Sequence, residues 1–165
     1  DLQARGFLLG GTSGRTTLNG EGLQHQDGHS HLLSSAIPNC VSYDPCYSYE
    51  LAVIIHNGLQ RMFVNNEPIY YYVTLMNENY PHQPMPDGAE DGIKKGMYLL
   101  CSKGKSKKKM VRLLGSGAIL REVEKAADLL LEYGISSQVW SVTSYIELAR
   151  EVRDIDRQNL LNVIY

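Results

Sequence analysis

An α/β fold built on a parallel sheet is predicted by three features of the sequence. Short runs rich in β-branched and aromatic residues alternate with longer stretches whose apolar residues recur every three or four positions. The stretches between successive strand-like runs are long enough for the crossover helices that parallel strands need. Six glycines and three prolines concentrate in two polar segments, 10–31 and 77–92, that punctuate this alternation. Ligands of such sheets collect at the carboxyl ends of the strands.

The elements follow in order. Gly10, Gly11, Gly14, Gly20, Gly22 and Gly28 rule out a regular helix or strand over 10–31 and predict a long shaped loop, a kind of segment that is functional when ordered. The run from Ile37 to Tyr43, with Val41 inside it, predicts a buried strand. Asp44 and Pro45 then suit the N-cap and first position of a helix. That helix should bury one face through Leu51, Ile54, Ile55, Leu59, Met62 and Phe63. Ile69 to Leu75 reads as a strand. Pro81, Pro84 and Pro86 mark a connection over 77–92, which places a domain boundary near residue 85 and divides the chain into 1–85 and 86–165. Beyond it come a lysine-rich turn over 103–109, a strand at 110–114, and a helix carrying Ile119, Leu120, Val123, Ala126, Ala127, Leu130 and Leu131 that Gly134 ends. A strand at 139–142 and a short helix at 145–153 complete the pattern.

Composition narrows the function classes. The 165 residues are 43% hydrophobic and 21% charged, as in ordinary globular proteins, and a net charge of -2 gives no overall attraction to nucleic acid or an anionic membrane. Cys40, Cys46 and Cys101 form no C-x-x-C pair and their number is odd, which argues for buried thiols in a reducing, cytoplasmic setting rather than a disulfide framework. No apolar run approaches the length of about 20 residues that spans a bilayer. The chain opens on Asp1 without methionine and stops just after a helix-like segment, so an internal piece of a longer protein is expected.

The densest chemistry lies in His25-Gln26-Asp27-Gly28-His29-Ser30-His31. A strand would put His25, Asp27, His29 and His31 on one face and could gather a metal, although the order matches no specific zinc pattern such as H-E-x-x-H. Imidazoles here equally suit acid/base or substrate-positioning work, and a third reading is a loop whose histidines pair with Asp27 and backbone. Gly115-Ser116-Gly117, between a strand and a helix, offers free N–H groups to a phosphate, or simply a Ser116 N-cap, since the third glycine of G-x-G-x-x-G is Leu120 here. Gly104-Lys105-Ser106 fails as a P-loop because Leu99 stands where the motif needs glycine. Lysines 103, 105, 107, 108 and 109 read as a solvated turn, Tyr70 to Tyr72 as strand packing, and His56 as a structural histidine on the helix.

Longer strings say more. Gly10-Gly11-Thr12-Ser13-Gly14-Arg15-Thr16-Thr17-Leu18-Asn19-Gly20-Glu21-Gly22-Leu23-Gln24-His25 followed by Asp27-Gly28-His29-Ser30-His31 closely resembles the decarboxylating component of the homodimeric bacterial pyruvate dehydrogenases. Ile37-Pro38-Asn39-Cys40, Tyr43-Asp44-Pro45, Asn77-Glu78-Asn79-Tyr80 and Leu113-Leu114-Gly115-Ser116-Gly117 extend the resemblance in order along nearly the whole chain.

The resemblance implies a transketolase-like architecture, with 1–85 as the later part of the thiamine-diphosphate pyrimidine-binding domain and 86–165 as the start of the carboxy-terminal domain. It implies a full-length enzyme in which pyruvate is attacked by the thiazolium carbanion of thiamine diphosphate and loses carbon dioxide. The two-carbon unit then passes to a lipoyl group on the dihydrolipoamide acetyltransferase. His25 matches an active-centre histidine expected to position substrate or cofactor, Glu21 lies beside it, Asp27 and His31 match the related transketolase D-G-x-x-H string, and His29 ranks behind them. The G-D-G and asparagine string that holds the diphosphate through magnesium is absent, and the glutamate that activates the cofactor is expected upstream of Asp1. The chain alone is therefore expected to be inactive, to bind cofactor weakly or not at all, and to self-associate through apolar surface that the full homodimer would cover. Cys46 in place of alanine, the lysine turn, and Gln158 in place of tryptophan depart from the pattern away from the histidine loop. A histidine-metal enzyme and a non-catalytic interaction module are the alternatives that the residues alone leave open.

Overall fold

The computed structural model describes residues 3–11, 28–76, 78–106 and 108–164. Two three-stranded sheets and the helices against them share one apolar core.

The first sheet holds β1 (Phe7–Gly10), β2 (Cys40–Tyr43) and β3 (Tyr70–Thr74) in the order β1-β3-β2, all parallel, with Phe7 opposite Tyr71 and Cys40 opposite Tyr70. β2 begins later than the expected strand, because Ile37 and Pro38 lie in the turn that leaves α1 (Ser30–Ser35). β1 was not anticipated: four residues ending in a glycine carry little periodicity of their own, and pairing along β3 makes them a strand. The three tyrosines of β3 alternate as strand geometry requires. Tyr71 is fully buried and stacks on Tyr43 with ring centroids 6.0 Å apart, while Tyr72 meets the His31 ring edge-on at 5.2 Å.

α2 (Ser48–Leu59) and the π-helical turn that extends it through Gln60–Val64 differ from the expected helix at both ends. Asp44 is not its N-cap. Tyr47 occupies that position, and the Glu50 carboxylate closes the end by accepting the backbone N–H groups of Cys46 at 2.6 Å and Tyr47 at 2.9 Å. The buried face runs Glu50, Ile54, Gly58, Met62, and not through Leu59 or Phe63, which are 45% and 57% exposed. Gly58 explains the choice of face. A Cβ there would sit 2.7 Å from the Phe7 ring, so the helix lies against β1 only along its glycine.

The expected connection has no regular secondary structure over 78–86 and then forms α3 (Ala89–Lys95), bracketed by Gly88 and Gly96 at φ 73° and 108°. The second sheet follows the order β4-β6-β5, from β4 (Met97–Lys103), β5 (Met110–Gly115) and β6 (Ser136–Val142). It is mixed rather than wholly parallel. β5 runs parallel to β6, but β4, which was not expected, lies antiparallel on the other edge with an irregularity between Leu99 and Cys101. α4 (Gly117–Glu132) buries Leu120 and Ala127, leaves Ile119 exposed, and ends at Gly134 with φ 70°. α5 (Tyr145–Ile164) is more than twice the length expected, and its residues 151–163 are exposed.

Ile54, Met62, Tyr71, Val73, Ile93, Leu120 and Val139, drawn from both sheets and three helices, form the continuous core. Glu50 is buried within it. Its second oxygen accepts the Tyr98 and Ser141 hydroxyls, each at 2.6 Å, so one carboxylate joins the start of α2 to β4 and β6.

Candidate active site

Strands β2 and β3 end beside each other, and the polar residues at those ends meet α1 and the start of α4. His31, in the first turn of α1, turns its ring onto them. Nδ1 lies 2.5 Å from the Ser42 hydroxyl in β2, and Nε2 lies 3.1 Å from the Thr74 hydroxyl that ends β3. Thr74 in turn donates to Asp44 Oδ1 at 2.5 Å, and the second Asp44 oxygen accepts the Ser116 hydroxyl at 3.0 Å. The Asp44 main chain is held as well: its N–H donates to the Thr143 carbonyl at 2.8 Å and its carbonyl accepts Gly117 N–H at 3.0 Å. Gly117 has φ 47°, and a Cβ on it would fall 2.6 Å from Asp44 Oδ1. Only glycine lets α4 start this close to the carboxylate.

A cavity of about 60 Å³ opens among His31, Ser42, Asp44, Ser116, Ser144 and Tyr145. Its wall carries an imidazole, hydroxyls and one carboxylate. Partial burial, and after it the nearby Asp44 carboxylate, raises the Tyr145 phenol above its ordinary range.

Of the residues singled out in the sequence, His25, Glu21 and Asp27 lie outside the described residues. His29 and His31 part company. Helix begins at Ser30, so His29 is an exposed residue at the N-cap position of α1, its carbonyl accepting Leu33 N–H at 2.9 Å, while His31 faces the strands. The single strand face that would have aligned these two around a metal is absent, and no group of three metal-ligating side chains occurs among the described residues. Ser116 does stand at the N-cap position of α4, but its hydroxyl serves Asp44 and makes no cap. Gly104 and Ser106 build a turn against the start of β6, where Ser106 N–H donates to the Ser136 hydroxyl at 2.8 Å. Lys103 pairs with Asp128 on α4.

Asp44, Thr74 and Ser42 were missed as site residues. Tyr43-Asp44-Pro45 had a signal, since a carboxylate directly after a buried strand is placed at its carboxyl end. The helix-start pattern of Asp-Pro masked it.

Comparison with known proteins supplies the family. The sequence profile of the pyruvate dehydrogenase E1 component middle domain matches residues 1–83. The chain belongs to the pyruvate dehydrogenase E1 component family. The profile of the transketolase-like C-terminal domain matches residues 96–164. Pyruvate dehydrogenase E1 components of Escherichia coli K12 and Pseudomonas aeruginosa are 61% and 60% identical to it, each over 98% of the chain. That of Haemophilus influenzae is 53% identical over 98%. The chain spans only 18–19% of the length of these relatives. Among solved structures, a transketolase variant from Pichia stipitis has a TM-score of 0.62 at 17% identity, over 86% of this chain and 19% of its own. The Campylobacter jejuni transketolase has 0.57 at 21%, over 87% and 21%. The fold of this E1 segment is thus transketolase-like.

Proposed function

We propose that the chain is the segment of a thiamine-diphosphate-dependent pyruvate dehydrogenase in which the pyrimidine-binding domain ends and the carboxy-terminal domain begins, with the boundary near residue 85. The observation that carries this reading is identity of up to 61% sustained over 98% of the chain. The full-length enzyme decarboxylates pyruvate and hands the acetyl group to lipoyl on the dihydrolipoamide acetyltransferase, as a cytoplasmic homodimer.

When bound, thiamine diphosphate supplies the carbon nucleophile and the electron sink for decarboxylation. His25, with Glu21 beside it, positions pyruvate or the cofactor ring by hydrogen bonding, and Asp27 and His31 belong to the same wall. The His31 network supports a positioning part: both ring nitrogens are taken up by the Ser42 and Thr74 hydroxyls. Imidazole, hydroxyl and carboxylate groups at strand ends suit one polar wall of such a site. The G-D-G and asparagine string that would hold the diphosphate through magnesium is absent from the sequence, and on this reading that binding belongs to other parts of the full-length chain.

The test uses the full-length enzyme. His25→Ala is expected to reduce pyruvate decarboxylation about 10²-fold, the order of loss that misplacing a reactant brings. Unchanged turnover would remove His25 from the site. The 165-residue chain alone is expected to show no turnover and no tight thiamine diphosphate binding by calorimetry, and measurable decarboxylation by it would contradict the assignment of the missing groups to other segments.

A further inference from the structure

The three linked groups Asp44, Thr74 and His31 constrain one another's protons. A threonine hydroxyl has a single hydrogen. Here it points to Asp44 Oδ1 at 2.5 Å, with the Tyr43 carbonyl a distant second acceptor at 3.4 Å. The Thr74 oxygen can then only accept from His31 Nε2, 3.1 Å away, so Nε2 must carry a proton. In the neutral ring Nδ1 is consequently the acceptor, and the Ser42 hydroxyl donates to it across 2.5 Å. We propose that Asp44 and Thr74 are positioning residues that hold His31 in its Nε2–H form and fix the plane of its ring.

On the reading that His31 belongs to the wall of the thiamine site, the device keeps that wall rigid. It also brings the two halves of the chain to one point, because Asp44 is itself held from the second half by the Ser116 hydroxyl and by Gly117 N–H. Gly117 thus acts on His31 at second hand: a Cβ there would push on the Asp44 carboxylate, with 2.6 Å to Oδ1 and 2.8 Å to Cγ.

Histidine-selective ¹⁵N NMR of the chain, at a pH where the imidazole is neutral, tests the proposal without cofactor or substrate. The His31 resonances are those missing from His31→Gln. The unaltered chain and Thr74→Ser are expected to show a protonated Nε2, an unprotonated Nδ1, and an Nε2–H protected from exchange with water. Thr74→Val is expected to lose that protection. In Asp44→Ala the freed Thr74 hydroxyl can rotate towards the ring, so a Nδ1–H population is expected to emerge, and Gly117→Ala is expected to follow Asp44→Ala without touching His31.

A proton on Nδ1 in the unaltered chain overturns the proposal by itself, even if a variant fails to fold. So does an Nε2–H signal that Thr74→Val and Asp44→Ala both leave unchanged. The readout is independent of turnover. A relay that fails here leaves the pyruvate dehydrogenase assignment to the His25 assay, and a failed His25 assay leaves the relay standing.

Discussion

A single hydrogen atom sets the limits of substitution at Gly117, because its Cα takes the place beside Asp44 that any side chain would need. Gly117→Ala should cost stability on two counts, the left-handed backbone at about 1–2 kcal/mol and displacement of the Asp44 carboxylate. A drop in the urea midpoint larger than the backbone term alone would measure both, and no drop would remove the close approach. The thiols carry a second prediction at this scale. Burial pushes the Cys46 thiol from an ordinary 9.0 up to about 12, so in the folded chain it stays a thiol where a free cysteine would ionise. A group protonated more tightly when folded stabilises below its unfolded pKa and loses that contribution as pH rises. Between pH 9 and about 12 the unfolded thiol ionises first, and stability should fall. Burial raises Tyr43 and Tyr98 in the same direction. The tyrosinate absorbance of these buried residues should therefore appear together with loss of the circular dichroism signal in an alkaline titration. Ionisation of all the tyrosines before unfolding would refute it.

At the scale of elements, Glu50 shows how a charged residue comes to occupy a helix's buried face. Its carboxylate accepts two N–H groups from its own helix start and two hydroxyls from the second sheet, so four donors lose their acceptor if it is truncated. Glu50→Ala should destabilise the chain by about 3 kcal/mol or more, the range for charged hydrogen bonds and unsatisfied buried donors, as read by chemical denaturation. A loss below about 1 kcal/mol would mean that water replaces the carboxylate. Periodicity alone put Leu59 and Phe63 on that face. The buried face leaves the expected one already within α2, where Gly58 rather than Leu59 meets the Phe7 ring, and the π-helical turn over Gln60–Val64 then breaks the regular spacing that put Phe63 inward, while Met62 is buried as expected.

Across the whole molecule, apolar side chains remain on the surface: Leu8, Leu9, Leu33, Phe63 and Val64 are each more than half exposed, as are Leu160 and Val163 on α5. A chain that spans 18% of its relatives' length has less polypeptide to cover such residues. Sedimentation of the isolated chain should show association that rises with concentration, and a monomer throughout would count against it. Hydrogen exchange should also be uneven. Amides in 151–163 of α5, exposed along their length, should exchange far faster than those of β6, which is paired on both edges. Equal protection of the two would show that the end of α5 is packed against another copy.

Much of this fold could be read directly from the residues. The β2 and β3 cores, Leu120 and Ala127 of the α4 stripe with its glycine stop, and the alternation of the foreseen strands and helices rest on local spacing and turn chemistry, which need no partner to be recognised, whereas Ile119 and Leu131 of that stripe are exposed. The literal strings around Glu21 to His31 likewise identified the family. Tertiary structure decided the rest. β1 and β4 are strands because β3 and β6 lie beside them, and the direction of β4 depends on which edge of β6 was free, a matter that hydrophobic pattern cannot encode. Asp44 has the local chemistry of a helix cap. It became the centre of the His31 network because Thr74, 30 residues on, and Ser116, 72 residues on, present hydroxyls to it in the folded chain, and hydrogen bonds follow distance in space rather than spacing along the sequence.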